Sequence, residues 1–219
     1  ERAGCRSISY TYTEPTVFFE FALETARLAR AQGLRNVFVT NGYMTPEAID
    51  LLAPVLDAAN VDLKGFSQKY YKGICGADLA HVQETLRRMR AAGIFVEVTT
   101  LIVPGLNDDP AELAALAGFL AGDLGPDTPW HISRFHPTYR LTDRPVTPVE
   151  TLHRAHAIGR AAGLRYVYVG NVPGDEGEST RCPGCGAMLI ERRGFRVGKV
   201  RLKDGRCAGC GTAIVGVWG

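Results

Sequence analysis

Short apolar runs alternate along the chain with amphipathic segments that open on helix-capping residues. Arg6 to Tyr12, Asn36 to Thr40, Asn60 to Leu63, Ile94 to Val103, Trp130 to Phe135 and Arg165 to Val169 read as strands. Helical patterns fill the gaps. Val17, Phe21 and Leu28, with Phe18, Ala22 and Ala29, fit one helical face, and Gly33 follows where the chain must take positive φ. Asp109-Pro110-Ala111-Glu112 and Thr147-Pro148-Val149-Glu150 each offer an N-cap, a proline at N1 and a glutamate at N3, and Thr45-Pro46-Glu47 is similar. Six strands separated by helices predict an α/β fold with a parallel sheet and right-handed crossovers, open or closed into a barrel.

Polar groups recur where these strands stop. Tyr12-Thr13-Glu14, Thr40-Asn41-Gly42 and Asp62-Leu63-Lys64 each sit at a strand-to-helix junction, and Pro104-Gly105 and Phe135-His136 continue the series. In βα barrels the C-terminal strand ends converge on one face, so this recurrence describes a site. Single members of the series have plainer readings. Glu14 also suits a helix N-terminus, where an acid complements the dipole, and Asn41-Gly42 suits a strand-exit turn. Asp62 and Lys64 alternate around Leu63 and so point the same way, as a ligand-binding pair or as a structural ion pair.

The alternation ends near Asn171-Val172-Pro173-Gly174, and an acidic, glycine-containing linker leads into a second composition. Residues 1–174 are expected to form the partial barrel, and residues 175–219 the linker and a small zinc-ribbon-like domain. Cys182-Pro183-Gly184-Cys185 and Cys207-Ala208-Gly209-Cys210 lie 21 residues apart, each followed by glycine. Two such turns at opposite ends of a hairpin complete a tetrahedral four-sulfur site. Zinc is the first choice, a rubredoxin-like single iron the second, an auxiliary iron–sulfur cluster the third. A segment this short needs the metal in order to fold.

With 219 residues, 46% hydrophobic and 22% charged, the chain is long enough for a full core and this appendage. A net charge of +2 gives no electrostatic argument for nucleic acid or an anionic membrane. No apolar run approaches the roughly 20 residues that cross a bilayer. Paired C-x-x-C motifs suit a reducing compartment, so the cytoplasm is expected. Cys5 is expected as a small buried hydrophobe and Cys75 as a loop cysteine on the site side. His153 and His156, three apart on a helix, read as a solvated face, and Arg192, Arg193, Arg196, Lys199, Arg201 and Lys203 as a solvated hairpin face, with contact to an acidic partner as the second reading.

Taken in order, Ser9 to Thr16, Val39 to Tyr43, Asn60 to Gly65, Val103 to Asp108 and Trp130 to Pro137 resemble the radical S-adenosylmethionine superfamily. Within it the chain is similar to the pyruvate formate-lyase activating enzyme-like branch, and most resembles the AmmeMemoRadiSam system radical SAM enzymes. Tyr166 to Gly174 and the terminal C-x-x-C pair share that narrower likeness. The resemblance implies a partial TIM-like barrel and an oxidoreductase that reductively cleaves S-adenosylmethionine. The resulting 5′-deoxyadenosyl radical would abstract hydrogen from a substrate that the sequence does not reveal, a protein in the activating enzymes.

Carried over by position, Glu14 corresponds to the glutamate of the family's Gly-Gly-Glu motif, which binds the cofactor's amino group, with Tyr12-Thr13 in place of the glycines. Asp62, Lys64 and His136 fall where activating enzymes contact the ribose and carboxylate, and Thr40 and Asn41 lie beneath. Val39 replaces an acidic residue of a cation site. The implied cofactors are S-adenosylmethionine and a [4Fe–4S] cluster, beside the zinc. The C-x-x-x-C-x-x-C loop that ligates such a cluster is not in this sequence. It follows the family's first strand, and the chain opens on the counterpart of the second, so it is expected to lack a preceding segment and to be inactive alone. Memo-like and AMMECR-like proteins and an electron donor such as flavodoxin or ferredoxin are the implied partners. Two rival readings are a non-catalytic barrel whose ribbon recruits a partner, and a βα-barrel lyase forming a Schiff base on Lys64.

Overall fold

The computed structural model describes residues 4–218 and forms strands on all six expected segments. They are β1 (Ser7–Tyr10), β2 (Arg35–Thr40), β3 (Ala58–Asp62), β4 (Phe95–Ile102), β5 (Trp130–Arg134) and β6 (Val167–Gly170). All six belong to one parallel sheet in sequence order. Between them run α1 (Phe19–Ala31), α2 (Pro46–Leu52), the single turn α3 (Gln68–Tyr70), α4 (Leu79–Ala91), α5 (Pro110–Phe119) and α6 (Val149–Ala161). The chain divides into two compact units, one ending at Thr100 and the other beginning at Leu101.

In the first unit the parallel register sets Tyr10 beside Phe38, Thr40 beside Val61, and Asp62 beside Thr99. The ends of β1, β2 and β3 therefore lie in one row. Wholly buried Asn36 ties helices to β2: its Oδ1 accepts from the Tyr10 hydroxyl at 2.9 Å, and its Nδ2 donates to the carbonyls of Ala26 and Val55. Burial on α1 corrects the expected face. Ala22, Leu23, Ala26 and Ala29 point inward, whereas Val17, Phe21 and Leu28 are 79%, 71% and 70% exposed. The alanine stripe at i, i+4 and i+7 brings the helix close to the sheet, and the larger side chains fall on the adjoining, outer stripe. Cys5 is likewise exposed rather than buried, because β1 begins only at Ser7 and no neighbouring strand covers it.

In the second unit, Trp130 and Ile132 are fully buried on β5 and α6 packs against both β5 and β6. Asp109 caps α5 as expected, its Oδ1 accepting from the N–H groups of Ala111 and Glu112. Thr147 does not cap α6. It is fully buried, its hydroxyl donates to the Ile102 carbonyl at 2.6 Å and accepts from Phe135 N–H at 3.1 Å, and Pro148 takes the N-cap position. Two tertiary hydrogen bonds thus replace a local cap.

The C-terminal segment holds β7 (Thr180–Arg181), β8 (Met188–Arg193) and β9 (Arg196–Val200) as an antiparallel sheet, and β10 (Leu202–Lys203) paired with β11 (Arg206–Cys207). Its small core joins Cys182, Leu189, Ile190, Cys207 and Ile214 to Tyr166, with Tyr168 and Leu202 packed against it. The Tyr166 hydroxyl accepts from Val215 N–H, a further tie between the approach to β6 and the chain's last residues.

Candidate functional site

The end of β1 and the end of β2 meet on one carboxylate. Glu14 Oε1 accepts from the Thr40 hydroxyl at 2.6 Å and, more weakly, from the Thr16 hydroxyl and N–H; Oε2 accepts from Asn41 N–H at 2.7 Å. A carboxylate offers about four acceptor positions. With one short bond on Oε2, that oxygen keeps an acceptor position for a cationic donor. Glu14 is also the N-cap of the 3₁₀ turn Pro15–Phe18, so the helix-terminal and site readings describe the same side chain. Tyr12 adopts φ 47° with its side chain almost wholly exposed. This left-handed turn, costly for a bulky residue, is what aims Glu14 back over the strand ends.

Thr40 is 2% exposed and its hydroxyl also accepts from Gly42 N–H at 3.1 Å. Asn41, half-buried, accepts from Tyr43 N–H through its Oδ1. Gly42 has φ 73°, and a Cβ there would lie 2.6 Å from Val61 Cγ1. Gly42→Ala is therefore expected to cost about 2–4 kcal/mol of stability, from backbone strain and overpacking. Chemical denaturation measures it; an unchanged midpoint would contradict the geometry.

One strand further, Lys64 Nζ donates to Asp62 Oδ2 at 2.9 Å. The pair stands at the open end of β3, with side chains 42% and 36% exposed. The Lys64 ammonium is engaged by a carboxylate, not presented alone to a carbonyl carbon, which argues against the Schiff-base reading. Lys64 N–H donates to the hydroxyl of Tyr71, whose pKa burial pushes well up, keeping it a neutral phenol. Tyr71 opens a π-helical turn, Tyr71–Cys75, and brings Cys75 near Lys64; burial raises the Cys75 thiol pKa and the lysine partly offsets it. Cys75 thus closes a helical turn instead of lying in an irregular loop, and buried Tyr71 has no signature in the sequence, since a lone aromatic after a strand end carries no distinguishing pattern. His136 is exposed just beyond β5, in the second unit. Thus Glu14, Thr40 and Asn41 are hydrogen-bonded together, and Asp62 with Lys64 form a pair in the next position of the same row.

The four ribbon cysteines converge: their sulfurs all lie within 4.8 Å of one another, with Cys182 to Cys210 at 3.5 Å and Cys185 to Cys207 at 3.8 Å. A disulfide would need about 2.05 Å. Four sulfurs about 2.3 Å from a central metal sit roughly 3.8 Å apart in a tetrahedron, so the donor set fits such an ion. Both turns are built alike. Gly186 N–H donates to the Cys182 carbonyl and Gly211 N–H to that of Cys207, each glycine at φ 75°. Burial raises the Cys182 thiol pKa, but N–H groups of Cys185 and Gly184 outweigh it and hold it low; Thr212 brings Cys210 down to about 6. Elsewhere the described residues gather no second set of three metal-binding side chains. Cys5 and Cys75 alone do not fit the three-thiolate requirement of an iron–sulfur cluster at the strand ends.

The profile of the radical SAM superfamily matches residues 1–117. An uncharacterized protein of Methanocaldococcus jannaschii is 50% identical over 215 residues, covering 97% of this chain and 64% of that protein. The isethionate sulfite-lyase activating enzyme of Nitratidesulfovibrio vulgaris is 32% identical over 114 residues, or 51% of this chain and 37% of the enzyme. The chain thus spans less than two thirds of either relative. Among solved structures, a domain of pyruvate-formate lyase-activating enzyme from Bacteroides vulgatus superposes with a TM-score of 0.66 at 18% identity, covering 75% of this chain and 98% of that domain. At that identity the likeness concerns the fold.

Proposed function

Because the chain belongs to the radical SAM superfamily, we propose that its strand-end row binds S-adenosylmethionine. In this reading Glu14 Oε2 receives the amino group, Asp62 and Lys64 take the ribose and carboxylate, and Thr40 and Asn41 floor the site. The observation that carries it is the Glu14 carboxylate, fixed by Thr40 and Asn41 with an acceptor position to spare and next in row to the Asp62–Lys64 pair. A carboxylate with an acceptor position to spare suits the cofactor's ammonium, as a charge-assisted hydrogen bond.

For the whole protein the proposed activity is reductive cleavage of bound S-adenosylmethionine, giving a 5′-deoxyadenosyl radical that takes hydrogen from a substrate. Three cluster thiolates would come from residues outside these 219. The likeness to activating enzymes supports a protein as the substrate, and an AmmeMemoRadiSam assignment would make Memo-like or AMMECR-like proteins the partners. We further assign zinc to the four ribbon cysteines. The strand-end residues orient the cofactor, leaving the difficult chemistry to the cofactor. Equilibrium dialysis with labelled S-adenosylmethionine tests the binding site: the native chain binds, and Asp62→Ala/Lys64→Ala binds more weakly. No binding by the native chain, or equal binding by the variant, contradicts the proposal.

A further inference from the structure

The ribbon concentrates positive charge. Residues 180–219 hold eight Arg and Lys against Glu191 and Asp204, whereas the whole chain nets +2, so the preceding 179 residues carry −4. Four of the eight are engaged within the fold: Arg181 by Glu176, Arg193 by Glu191, Arg192 by the Thr180 hydroxyl, and Arg206 by the Gly211 carbonyl. Arg196, Lys199, Arg201 and Lys203 are exposed and form no ion pair among the described residues. All four lie on β9 or in the few residues after it.

β9 is also an edge. The sheet order is β7-β8-β9, so only β8 pairs with it, and all five of its residues are exposed. Apolar groups are interleaved with the cations: Phe195 at the hairpin tip is fully exposed, Val197 is 61% and Val200 55% exposed. An unpaired strand edge offers N–H and C=O groups to a further strand. Lysines on an edge also repel such pairing, unless the incoming strand is acidic.

We propose that β9 docks a protein partner by strand addition, the partner supplying an extended segment of alternating acidic and apolar residues. Backbone hydrogen bonds would give affinity. β9 carries one extra residue between Val197, opposite Arg192, and Val200, opposite Ile190, so the two valines share one face while Arg196 and Lys199 share the other; an incoming strand of alternating acidic and apolar residues then sets its acids over the cations and its apolar groups over the valines. Single-stranded nucleic acid suits this surface less well, since it calls for successive aromatic platforms. Here Phe195 stands alone; Trp218 is tied down, its Nε1 donating to the Ile214 carbonyl. The proposal is independent of the cofactor chemistry.

The test uses the full, zinc-loaded chain and a fluorescein-labelled peptide of four Val-Glu repeats, read by anisotropy. The Val-Glu peptide is expected to bind about tenfold tighter than a Val-Lys counterpart, the scale of two or three cross-strand charge pairs. Alternate N-methylation of its backbone should remove binding. Lys199→Glu/Arg201→Glu should reverse the preference between the two peptides, with zinc content confirming that the ribbon is intact. If that variant loses zinc, Phe195→Ala serves instead, with a weaker but measurable loss. Equal binding of both peptides, indifference to N-methylation, or no effect of the variants would reduce the cations to edge protection and overturn the proposal. Tighter binding of a fifteen-residue oligothymidine, lost in the same variant, would overturn it in favour of nucleic acid.

Discussion

Cys207→Ser is expected to release the ribbon's metal and unfold the chain beyond Ser179. Cys207 is buried, and its sulfur lies among the other three. Structural zinc contributes about 10–16 kcal/mol of folding free energy in small metal domains, whereas the ribbon's own core is a handful of side chains. Losing one thiolate therefore removes the main stabilising term. Limited proteolysis should cut between Ser179 and the C terminus, while β1 to β6 resist. Because Tyr166 and Tyr168 pack under the ribbon, their emission should change with the cut. Elemental analysis of native protein should find one zinc; less than half an equivalent, with no iron, would remove the metal assignment. One iron with thiolate charge-transfer absorption would replace zinc by a rubredoxin-like site.

Glu14→Ala is expected to weaken S-adenosylmethionine binding by about 10- to 100-fold, the scale of one lost hydrogen bond to a charged group. It also leaves the Thr40 hydroxyl and Asn41 N–H without the acceptor they share. Glu14→Gln separates these effects: its amide oxygen can keep one of those bonds, but it offers no charge to the cofactor's ammonium. A cofactor analogue lacking the amino group should bind native and Glu14→Gln protein alike. Discrimination by the native protein against that analogue, lost on Glu14→Gln, would locate the amino group at Glu14. Equal discrimination in both would move it elsewhere.

Much of the architecture was legible because its signals are local. The six strand segments follow from apolar runs bounded by polar turns, and Asp109-Pro110 marks a helix start by chemistry confined to a few residues. The four-cysteine site was legible because thiolate spacing within a turn dictates convergence. What escaped depends on distant partners. Thr147 has the spacing of a cap, yet Ile102 and Phe135 claim its hydroxyl. Val17, Phe21 and Leu28 share a helical stripe, but the neighbouring alanines decide which side approaches the sheet. Tyr71, buried with its hydroxyl on Lys64 N–H, is placed by a π-helical turn that no periodicity announces. At the strand ends, Glu14 was legible as a candidate, while its hold on Thr40 and Asn41 required the register of β1 beside β2.

Reductive cleavage of S-adenosylmethionine at these strand ends, as proposed, requires more cluster thiolates than Cys5 and Cys75 supply. Its most direct test is anaerobic iron–sulfur reconstitution followed by chromatography for 5′-deoxyadenosine, run on the 219-residue chain and on the gene product extended upstream of Glu1. About four irons and 5′-deoxyadenosine are expected from the extended protein and neither from the short chain, because Cys5 and Cys75 cannot replace a three-thiolate loop. A functional cluster in the short chain, or an extended protein that makes no 5′-deoxyadenosine, would contradict it.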